Sequence, residues 1–478
     1  MVALNALFTY ILKPTSDVKA VIALILLISL LVRRTQGVGQ LYLKLKKIPV
    51  GISLTIILSF SFLLRLFWIF WSPHVPPAQI SEDYLILNHA QDLAAGLGFR
   101  SAWTREFTAF RPIGYPLFLA FLFKLFGTNL VIAELFQAVF GVLSVFLVFY
   151  ISKQTVSDHF GLFAALLYGC YPTAIMSTKI LLDEHLFLVL WLASLALLIS
   201  DYQKPSFVKV SLAGLTIGIS ALCRPYTVTM CVVVFIVWLF AKRSFTGALK
   251  RGVLVAFLTL LCALPWAIRN YYRLGVPIFY TTAVGTNCYF SNNPTSDVRY
   301  PVNPDLEHGG DPDYLRANIT EVERDYAGRR AAFRWIIKNP VLFIEKALGR
   351  TFYMLGLNRE GWVIDDNFTT IKPGAKRPSK KFLKGLEKFE QYYYVTVFLF
   401  SLTGLFLFCG NFVYDVERKG LIYPLVTLWF YIFLTAISLT QRKYRFVVEP
   451  FFCIFAAYGI FISFFGYWDQ KSLAMKQA

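Results

Sequence analysis

The chain has 478 residues, of which 57% are apolar and only 16% are charged. Soluble domains usually carry about a quarter charged residues, and here Leu- and Phe-rich runs recur along nearly the whole chain. This composition excludes a disordered chain and a soluble enzyme with one anchor, and it predicts a polytopic membrane protein. The formal charge of +19 is typical of the basic cytoplasmic loops of such proteins, so no nucleic-acid partner is expected.

The hydropathy pattern predicts an all-α fold with about eleven membrane-spanning helices, within a range of about ten to thirteen. The candidate spans lie near 17–32, 49–71, 130–152, 160–178, 183–200, 207–222, 225–241, 251–269, 391–411, 421–440 and 446–467. Residues 1–48 are predicted to form an extra N-terminal membrane segment and a basic cytoplasmic loop. Residues 49–467 then form the membrane domain, and 468–478 form a tail.

The basic loops predict how these helices are oriented. Lys and Arg clusters before residue 49 and around 242–251 are expected to be cytoplasmic, which places the loop 72–129 on the outer face. A second large outer region is predicted at 270–390. The candidate active site is therefore expected on the outer face of the cytoplasmic, or inner, membrane.

Two segments can either span the membrane or lie in its interface. The segment 113–127 is short and carries Lys124, so an in-plane, interfacial helix is favoured. The segment 340–357 carries three charged residues within three turns and is also predicted to lie in plane. If it spans instead, the basic stretch 372–388 becomes cytoplasmic, as the charge rule prefers, and the rest of the chain is inverted.

Acidic residues next to apolar helices are expensive to bury and are candidates for function. Glu82 and Asp83 are adjacent in the first outer loop. Neighbouring carboxylates raise each other's pKa, which suits a general base, although two solvated loop acids would give the same pattern. Asp183 and Glu184 open an apolar helix, where the helix dipole stabilises acids, so a capping role is the alternative.

Arginines accompany these acids in recognisable patterns. Arg111 lies in Arg-Pro-Ile-Gly-Tyr-Pro, whose prolines and glycine restrict the backbone and suit an Arg held for phosphate contact. Arg224 precedes Pro225 between two spans, and Arg269 lies in Pro-Trp-Ala-Ile-Arg-Asn-Tyr. A last cluster, Gln-Arg-Lys-Tyr-Arg over 441–445, comes just before the final span.

In order and spacing these motifs resemble those of the GT-C fold membrane glycosyltransferases that use polyprenyl-phosphate sugars. The closest likeness is to the bacterial relatives of protein O-mannosyltransferase and of the lipid A aminoarabinose transferase. The resemblance runs from about residue 50 to 467. The position usually held by the catalytic Asp falls on Glu82, with Asp83 beside it, and Ile113 replaces the second proline of Arg-Pro-Pro-Gly.

The resemblance implies an inverting transferase that moves a sugar from a polyprenyl-phosphate donor to an acceptor hydroxyl or amine. Glu82 or Asp83 would be the base, and Glu184 would be a second acid that orients the acceptor or the base. The donor phosphate would be bound by Arg269, Arg442 and Arg445, with Arg111 and Arg224 behind them. Further substrate contacts are expected from Tyr84, Tyr115, Asp183, Asn270 and Tyr444.

Two other functions also fit the sequence. A flippase or transporter of a lipid-linked sugar would explain the spans and the charges, but matched helix breaks or inverted repeats are not evident. An oligosaccharide polymerase or ligase would explain the long loop 272–339. No obligatory cofactor is expected, a divalent metal ion stays open, and the seven scattered cysteines have no metal or disulfide spacing. The acceptor can be a glycan, a lipid or a protein.

Overall fold

The computed structural model describes residues 46–72, 82–242, 244–298, 305–357, 364, 378–411, 420–438 and 441–465. These residues are mainly helical, and the one strand-like pairing among them is an antiparallel bridge between Arg100 and Phe107. The predicted all-α fold is therefore confirmed. The predicted span 17–32 and the tail 468–478 lie outside the described residues.

The helices of nine or more residues are numbered here in chain order. They are α1 Val50–Trp71, α2 Glu82–Ala94, α3 Gly114–Phe126, α4 Leu130–Thr155, α5 Asp158–Gly169, α6 Glu184–Gln203, α7 Phe207–Ala221, α8 Met230–Lys242, α9 Phe245–Leu274, α10 Ala283–Ser291, α11 Glu321–Lys338, α12 Pro340–Leu355, α13 Lys380–Asn411, α14 Ile422–Ile437 and α15 Glu449–Ile460. Short helical turns lie at Pro172–Met176, Ser177–Lys179, Pro225–Thr229, Pro312–Leu315 and Arg442–Val447.

Only some of these helices are long enough to cross a membrane. In the described part of the chain, five helices (α1, α4, α6, α9 and α13) meet the length and hydropathy required of a span. Helix α5 and the following Pro172–Lys179 form a sixth candidate that is bent by 60° at its break. Five further apolar helices are shorter. The membrane-spanning character is thus confirmed, but the predicted number of about eleven spans is not.

Several predicted boundaries were wrong. Helix α9 extends beyond the predicted 251–269 at both ends, so Arg269 lies inside the helix and not at its end. Helix α13 begins at Lys380, eleven residues before the predicted 391, and it takes up the last part of the basic stretch 372–388. The outer region predicted at 270–390 contains α10, α11 and α12. Helix α12 lies in the predicted segment 340–357, whereas the amphipathic α11 is too polar for a search for apolar spans to find.

The two segments predicted to lie in plane are both helical. Helices α3 and α12 have 13 and 16 residues, which corresponds to about 20 and 24 Å at 1.5 Å per residue. A straight helix of either length is shorter than the roughly 30 Å hydrocarbon layer. Their placement in the interface stays a prediction.

The core lies among the helices of the membrane domain. Trp191 of α6 packs against Tyr226, Tyr431 and Phe451, with ring centroids 5.3–6.5 Å apart. In lipid the hydrophobic effect does not drive helices together, so their association depends on close packing of this kind. These residues belong to α6, the turn at 225–229, α14 and α15, so the core fixes the N-terminal half of α6 against those three elements. His185 of α6 also packs against Phe446 of the turn 442–447, with ring centroids 5.3 Å apart. The candidate site lies at this end of the bundle.

Candidate active site

Helix α2 begins with the acidic pair. Both Glu82 and Asp83 lie in its first turn, where the helix dipole stabilises carboxylates. Leu85, Ile86 and His89 are buried, and they follow Glu82 by three, four and seven residues. Glu82 therefore lies on the face that packs against the rest of the protein, whereas Asp83 lies one residue further around the helix.

The carboxylate of Glu82 lies between two cations. Arg111 Nη1 donates to Glu82 Oε1 at 2.7 Å, and Nζ of Lys443 forms an ion pair with Glu82 Oε2. Burial alone would raise the pKa of Glu82, but the charges of Lys443, Arg111 and Arg224 outweigh burial and hold the pKa below its ordinary value. Glu82 is therefore ionised at neutral pH.

A close backbone contact positions Arg111. Three residues later, the N–H of Gly114 donates to the carbonyl of Leu222 at 2.8 Å, at the end of α7. A Cβ on Gly114 would lie 2.6 Å from Cys223 Sγ and 2.8 Å from the Leu222 carbonyl oxygen, so only glycine fits here. This contact explains the glycine of the Arg-Pro-Ile-Gly motif, and it brings Arg111 to the segment that carries Arg224.

Arg224 binds both acids of the second acidic pair. Its Nη2 donates to Asp183 Oδ1 at 2.6 Å and to Glu184 Oε1. Both carboxylates are buried, and buried acids remain charged only when they are paired. The guanidinium also lies 5.8 Å from the ring centroid of Tyr444, so a predicted substrate residue belongs to the surroundings of this pair.

Tyr115 supports the second acidic pair from within the core. Its hydroxyl donates to Gln137 Oε1 at 2.8 Å, and the same oxygen accepts the N–H of Leu182 at 3.1 Å. The Gln137 Nε2 donates to two carbonyls of the segment 178–180 at 3.0 and 2.9 Å. Tyr115 and Gln137 therefore hold the segment that leads into Asp183. This arrangement makes Tyr115 a positioning residue.

Six residues from distant parts of the chain form what we call the ion cluster. Its members are Glu82, Arg111, Asp183, Glu184, Arg224 and Lys443. Burial lowers the pKa of Lys443, but Glu82 and, to a smaller extent, Tyr444 and Glu184 raise it above its ordinary value. Because Arg224 acts on Glu82 and Glu184 acts on Lys443, the two acidic pairs share one electrostatic environment. The cluster contains three carboxyl groups and three cationic side chains.

A cavity of about 910 Å³ opens beside α2. It is bounded by α2, the hairpin 100–107, the end of α9 and the start of α11, and it falls in the size range of ligand pockets. Arg111 lines the cavity and also donates to Glu82, so this guanidinium connects the cavity to the ion cluster. The charged residues of the lining are Arg100, Arg105, Glu106, Arg111, Arg273, Glu321 and Arg324.

Arg269 and Asn270 bind loop backbone outside the ion cluster. Arg269 donates to the carbonyls of Phe99 at 2.7 Å and Thr108 at 2.9 Å, and Asn270 Nδ2 donates to the carbonyl of Ile278 at 2.7 Å. The hydrogen bonds of Arg269 brace α9 against the hairpin region. A phosphate contact by Arg269 stays a prediction.

Arg445 belongs to a separate buried network. Its Nη2 lies 3.3 Å from Glu390 Oε1, its Nε lies 3.6 Å from Glu449 Oε1, and its Cζ lies 3.7 Å from the ring centroid of Tyr394. In a 3₁₀ turn, residues three apart are eclipsed, so Arg445 and Lys443 point in different directions. The side chain of Arg442 lies outside the described part of the structure.

The remaining predicted residues surround the cluster less directly. Tyr84 and Asp83 are half-buried on α2, next to Glu82. Tyr444 adjoins Arg224 and Lys443 with its ring, while its carbonyl accepts the hydroxyl of Tyr431 at 3.0 Å. Their contact with a substrate stays a prediction.

Sequence reasoning missed Lys443 as a site residue. It lies between the predicted Arg442 and Arg445, and the basic pattern alone does not indicate which of the three cations meets Glu82. A predicted 3₁₀ turn, which has three residues per turn, would have distinguished position 443 from positions 442 and 445. In the described residues, His, Cys, Asp and Glu side chains form no group of three that could hold a metal ion.

Comparisons with known proteins show what the chain is similar to. Residues 110–268, about a third of the chain, match the family model described as dolichyl-phosphate-mannose-protein mannosyltransferase. The apo crystal structure of the oligosaccharyltransferase from Archaeoglobus fulgidus is similar, with a TM-score of 0.51 and 12% identity over 90% of this chain and 52% of that chain. The present chain therefore spans about half the length of that enzyme.

A second solved structure is also similar. It is that of ArnT from Cupriavidus metallidurans bound to undecaprenyl phosphate, with a TM-score of 0.44 and 11% identity over 85% of this chain and 77% of that chain. No curated protein sequence matches this chain. From the match to the archaeal oligosaccharyltransferase and the matched family model, this helical membrane protein has the fold of the GT-C glycosyltransferases.

Proposed function

We propose that this protein is an inverting glycosyltransferase that moves a sugar from a polyprenyl-phosphate donor to an acceptor at the outer face of the membrane. The observation that carries the proposal is the position of Glu82, an ionised carboxylate between Lys443 and Arg111 and close to Arg224. The matched family model supports the donor class, because its description names dolichyl-phosphate mannose.

Glu82 is the proposed general base. In the free protein it is a weak base, because Lys443 and Arg111 stabilise its charge. A donor phosphate that takes over the bonds of Lys443 removes this stabilisation and raises the pKa of Glu82. Binding of the donor thus prepares the carboxylate to accept a proton. Asp83, in the same helical turn, is the alternative base.

Arg224, Lys443 and Arg111 are the proposed ligands of the donor phosphate. Each already binds a carboxylate, so each can exchange that carboxylate for a phosphate oxygen. An Arg can bind phosphate through two parallel N–H groups, and fixed cations stabilise the charge that develops on a leaving phosphate. Arg269, whose N–H groups are bound to carbonyls, is not included.

The proposed reaction is a single displacement at the anomeric carbon. The acceptor oxygen forms a bond to this carbon while the carbon–oxygen bond to the phosphate breaks. The acceptor proton passes to Glu82, and the bonding electrons leave with the polyprenyl phosphate, whose charge the cations neutralise. Attack opposite the leaving group inverts the anomeric configuration.

Asp183 and Glu184 are proposed to hold Arg224 in place for the phosphate. Their paired carboxylates restrict the guanidinium to one position before the donor arrives. In this proposal Glu184 acts through Arg224, in addition to any contact that it makes with the acceptor. Both contacts are made by the same nitrogen, Nη2.

The test is the release of free polyprenyl phosphate from a purified polyprenyl-phosphate sugar. Full-length enzyme in detergent is mixed with the donor and with an envelope extract as acceptor, and wild type is compared with Glu82→Gln. Release by wild type and its loss in the variant support the proposal. If wild type releases nothing, yet moves the intact donor across liposome bilayers, the protein is a flippase.

A further inference from the structure

Three cations of the cavity region surround one aromatic ring. The guanidinium carbons of Arg273, Arg100 and Arg269 lie 4.3, 4.7 and 5.4 Å from the ring centroid of Phe107. An aromatic ring attracts each cation separately, but it does not cancel the repulsion among the three. A group of like charges at the wall of a cavity therefore favours the binding of an anion.

Two arginines of the lining are already paired with acids, whereas three are not. Arg105 is bound to Asp92, and Arg111 is bound to Glu82, both at 2.7 Å. Across the described ranges, no carboxylate forms an ion pair with Arg100, Arg273 or Arg324, and these three residues form what we call the free-cation wall of the cavity.

Two acids, Glu106 and Glu321, line the same cavity, and the carboxylate of Glu321 binds loop backbone and hydroxyl groups. Glu321 Oε1 accepts the N–H of Ala109 at 2.9 Å and the hydroxyl of Thr282 at 2.5 Å, and its Oε2 accepts the hydroxyl of Thr108 at 2.5 Å. Glu321 thus connects α11 to the segment before Arg111. Since its oxygens are already used, it does not pair with the arginines of the free-cation wall.

The cavity is next to the reacting groups of the proposed transferase. Arg111 lines it and donates directly to the proposed base Glu82, so this one side chain connects the cavity to the carboxylate that accepts the proton. Lys443 holds the other oxygen of Glu82.

The aromatic lining suits a sugar. Trp103, Phe107 and Phe110 contribute to the cavity, and Trp103 is 63% exposed. Aromatic faces pack against the C–H faces of sugar rings, while arginines bind phosphates and carboxylates through paired N–H groups. A volume of about 910 Å³ holds one or a few sugar rings.

We propose that this cavity is the acceptor site and that it selects a saccharide carrying a phosphate or a carboxylate, bound by Arg100, Arg273 and Arg324. This inference rests on the proposed transferase function and names its acceptor class. Neutral saccharides lack the group that these arginines bind, so they are poor acceptors.

The experiment measures binding of glycosides to the full-length enzyme in detergent at low salt. The probes are methyl glucoside, methyl glucoside 6-phosphate and methyl glucuronide, with the octyl analogue of each below its critical micelle concentration. We expect the two anionic methyl glycosides to bind at least about tenfold more tightly than the neutral one, as expected for charge-assisted bonds to arginine. If octyl glucoside 6-phosphate binds more tightly than methyl glucoside 6-phosphate, the anion belongs to a glycolipid headgroup. Equal binding of the two assigns the anion to a free saccharide.

Two variants test which residues cause the preference for anionic glycosides. Arg273→Gln combined with Arg324→Gln should bring the anionic glycosides to within about threefold of the neutral one. Arg330→Gln is the matched control, because Arg330 is an exposed arginine of the same helix α11 that does not line the cavity. It should keep the wild-type preference.

Three results would overturn the inference. These are equal binding of neutral and anionic glycosides, an undiminished preference in the double variant, and tighter binding of an Asp-rich peptide than of the anionic glycosides. Each is read from binding alone. The release of polyprenyl phosphate is a separate readout, so failure of the acceptor assignment is distinguishable from failure of the transferase proposal.

Discussion

Lys443 forms an ion pair with Glu82 across a sequence separation of 361 residues. The contact joins a turn near the end of the membrane domain to the first residue of α2. Arg111 holds the other oxygen of the same carboxylate at 2.7 Å. The two cations set the charge state of Glu82, and the following predictions test what that arrangement does.

Replacing Glu82 by Gln should reduce turnover by about 10²–10⁴-fold, the range expected for the loss of a general base. The amide cannot accept the proton, although it keeps the size of the side chain. The measurement is the release of polyprenyl phosphate per folded enzyme, with donor binding measured in parallel. Asp83→Asn is the matched comparison, since it removes the neighbouring charge of the same turn. A larger loss in Asp83→Asn than in Glu82→Gln would transfer the role of base to Asp83.

Replacing Lys443 by Met should move the acidic limb of the pH profile of kcat/KM to higher pH. Lys443 and Arg111 lower the pKa of Glu82 in the free enzyme, so the base stays ionised far into the acidic range. Without Lys443, burial raises this pKa, and the base is protonated at a pH at which the wild type is active. Lys338→Met, at an exposed lysine of α11, should leave the limb unchanged. An unshifted limb in Lys443→Met would show that Glu82 does not govern it.

Replacing Arg224 by Ala should lower both stability and turnover. The change leaves the buried carboxylates of Asp183 and Glu184 without their cation, and removal of one partner of a buried pair typically costs about 3–5 kcal/mol. Thermal unfolding in detergent measures the loss of stability. Adding Glu184→Gln should recover part of the melting temperature without restoring turnover, because the donor phosphate still lacks its ligand. Recovery of turnover in this double variant would assign Arg224 a purely structural role.

Replacing Arg269 by Ala should lower the melting temperature, because its guanidinium binds the carbonyls of Phe99 and Thr108. The specific activity of the folded fraction should stay within about tenfold of wild type, less than the about 10²–10³-fold expected for a lost transition-state contact. Arg269→Lys should restore stability only in part, because one ammonium group does not reproduce the two guanidinium nitrogens that bind the two carbonyls. A loss of about 10²-fold or more in the folded fraction would instead place Arg269 at the donor phosphate.

Single cysteines at 104 and 375 should both react with an impermeant thiol reagent added to intact cells, in a background without competing thiols. A cysteine at 246 should not react, since it lies beside the basic cluster predicted to be cytoplasmic. The substitutions are Thr104→Cys, Ala375→Cys and Thr246→Cys. Labelling at 104 but not at 375 would show that the segment 340–357 spans the membrane and that the last third of the chain is inverted.

The sequence by itself determined the all-α membrane class and the motifs that resemble the GT-C glycosyltransferases. Membrane helices can be predicted from hydropathy alone, because a run of about 20 consecutive apolar residues is stable in the membrane and not in water. The sequence also showed the glycine of Arg-Pro-Ile-Gly, but the reason for it, the contact of Gly114 with Leu222, lies in the tertiary structure. Amphipathic helices such as α11 were missed, because half of their residues are polar.

The tertiary structure decided which cation meets which acid. Arg269 and Arg445 were predicted to bind the donor phosphate and Lys443 was missed. Of these three cations it is Lys443 that pairs with Glu82, while Arg445 is directed to Glu390. Hydropathy reports how much apolar surface a segment buries, but not the direction of one side chain in a turn. That direction depends on a rotation of about a third of a turn per residue in the 3₁₀ segment, and on helices that are distant in sequence and adjacent in space.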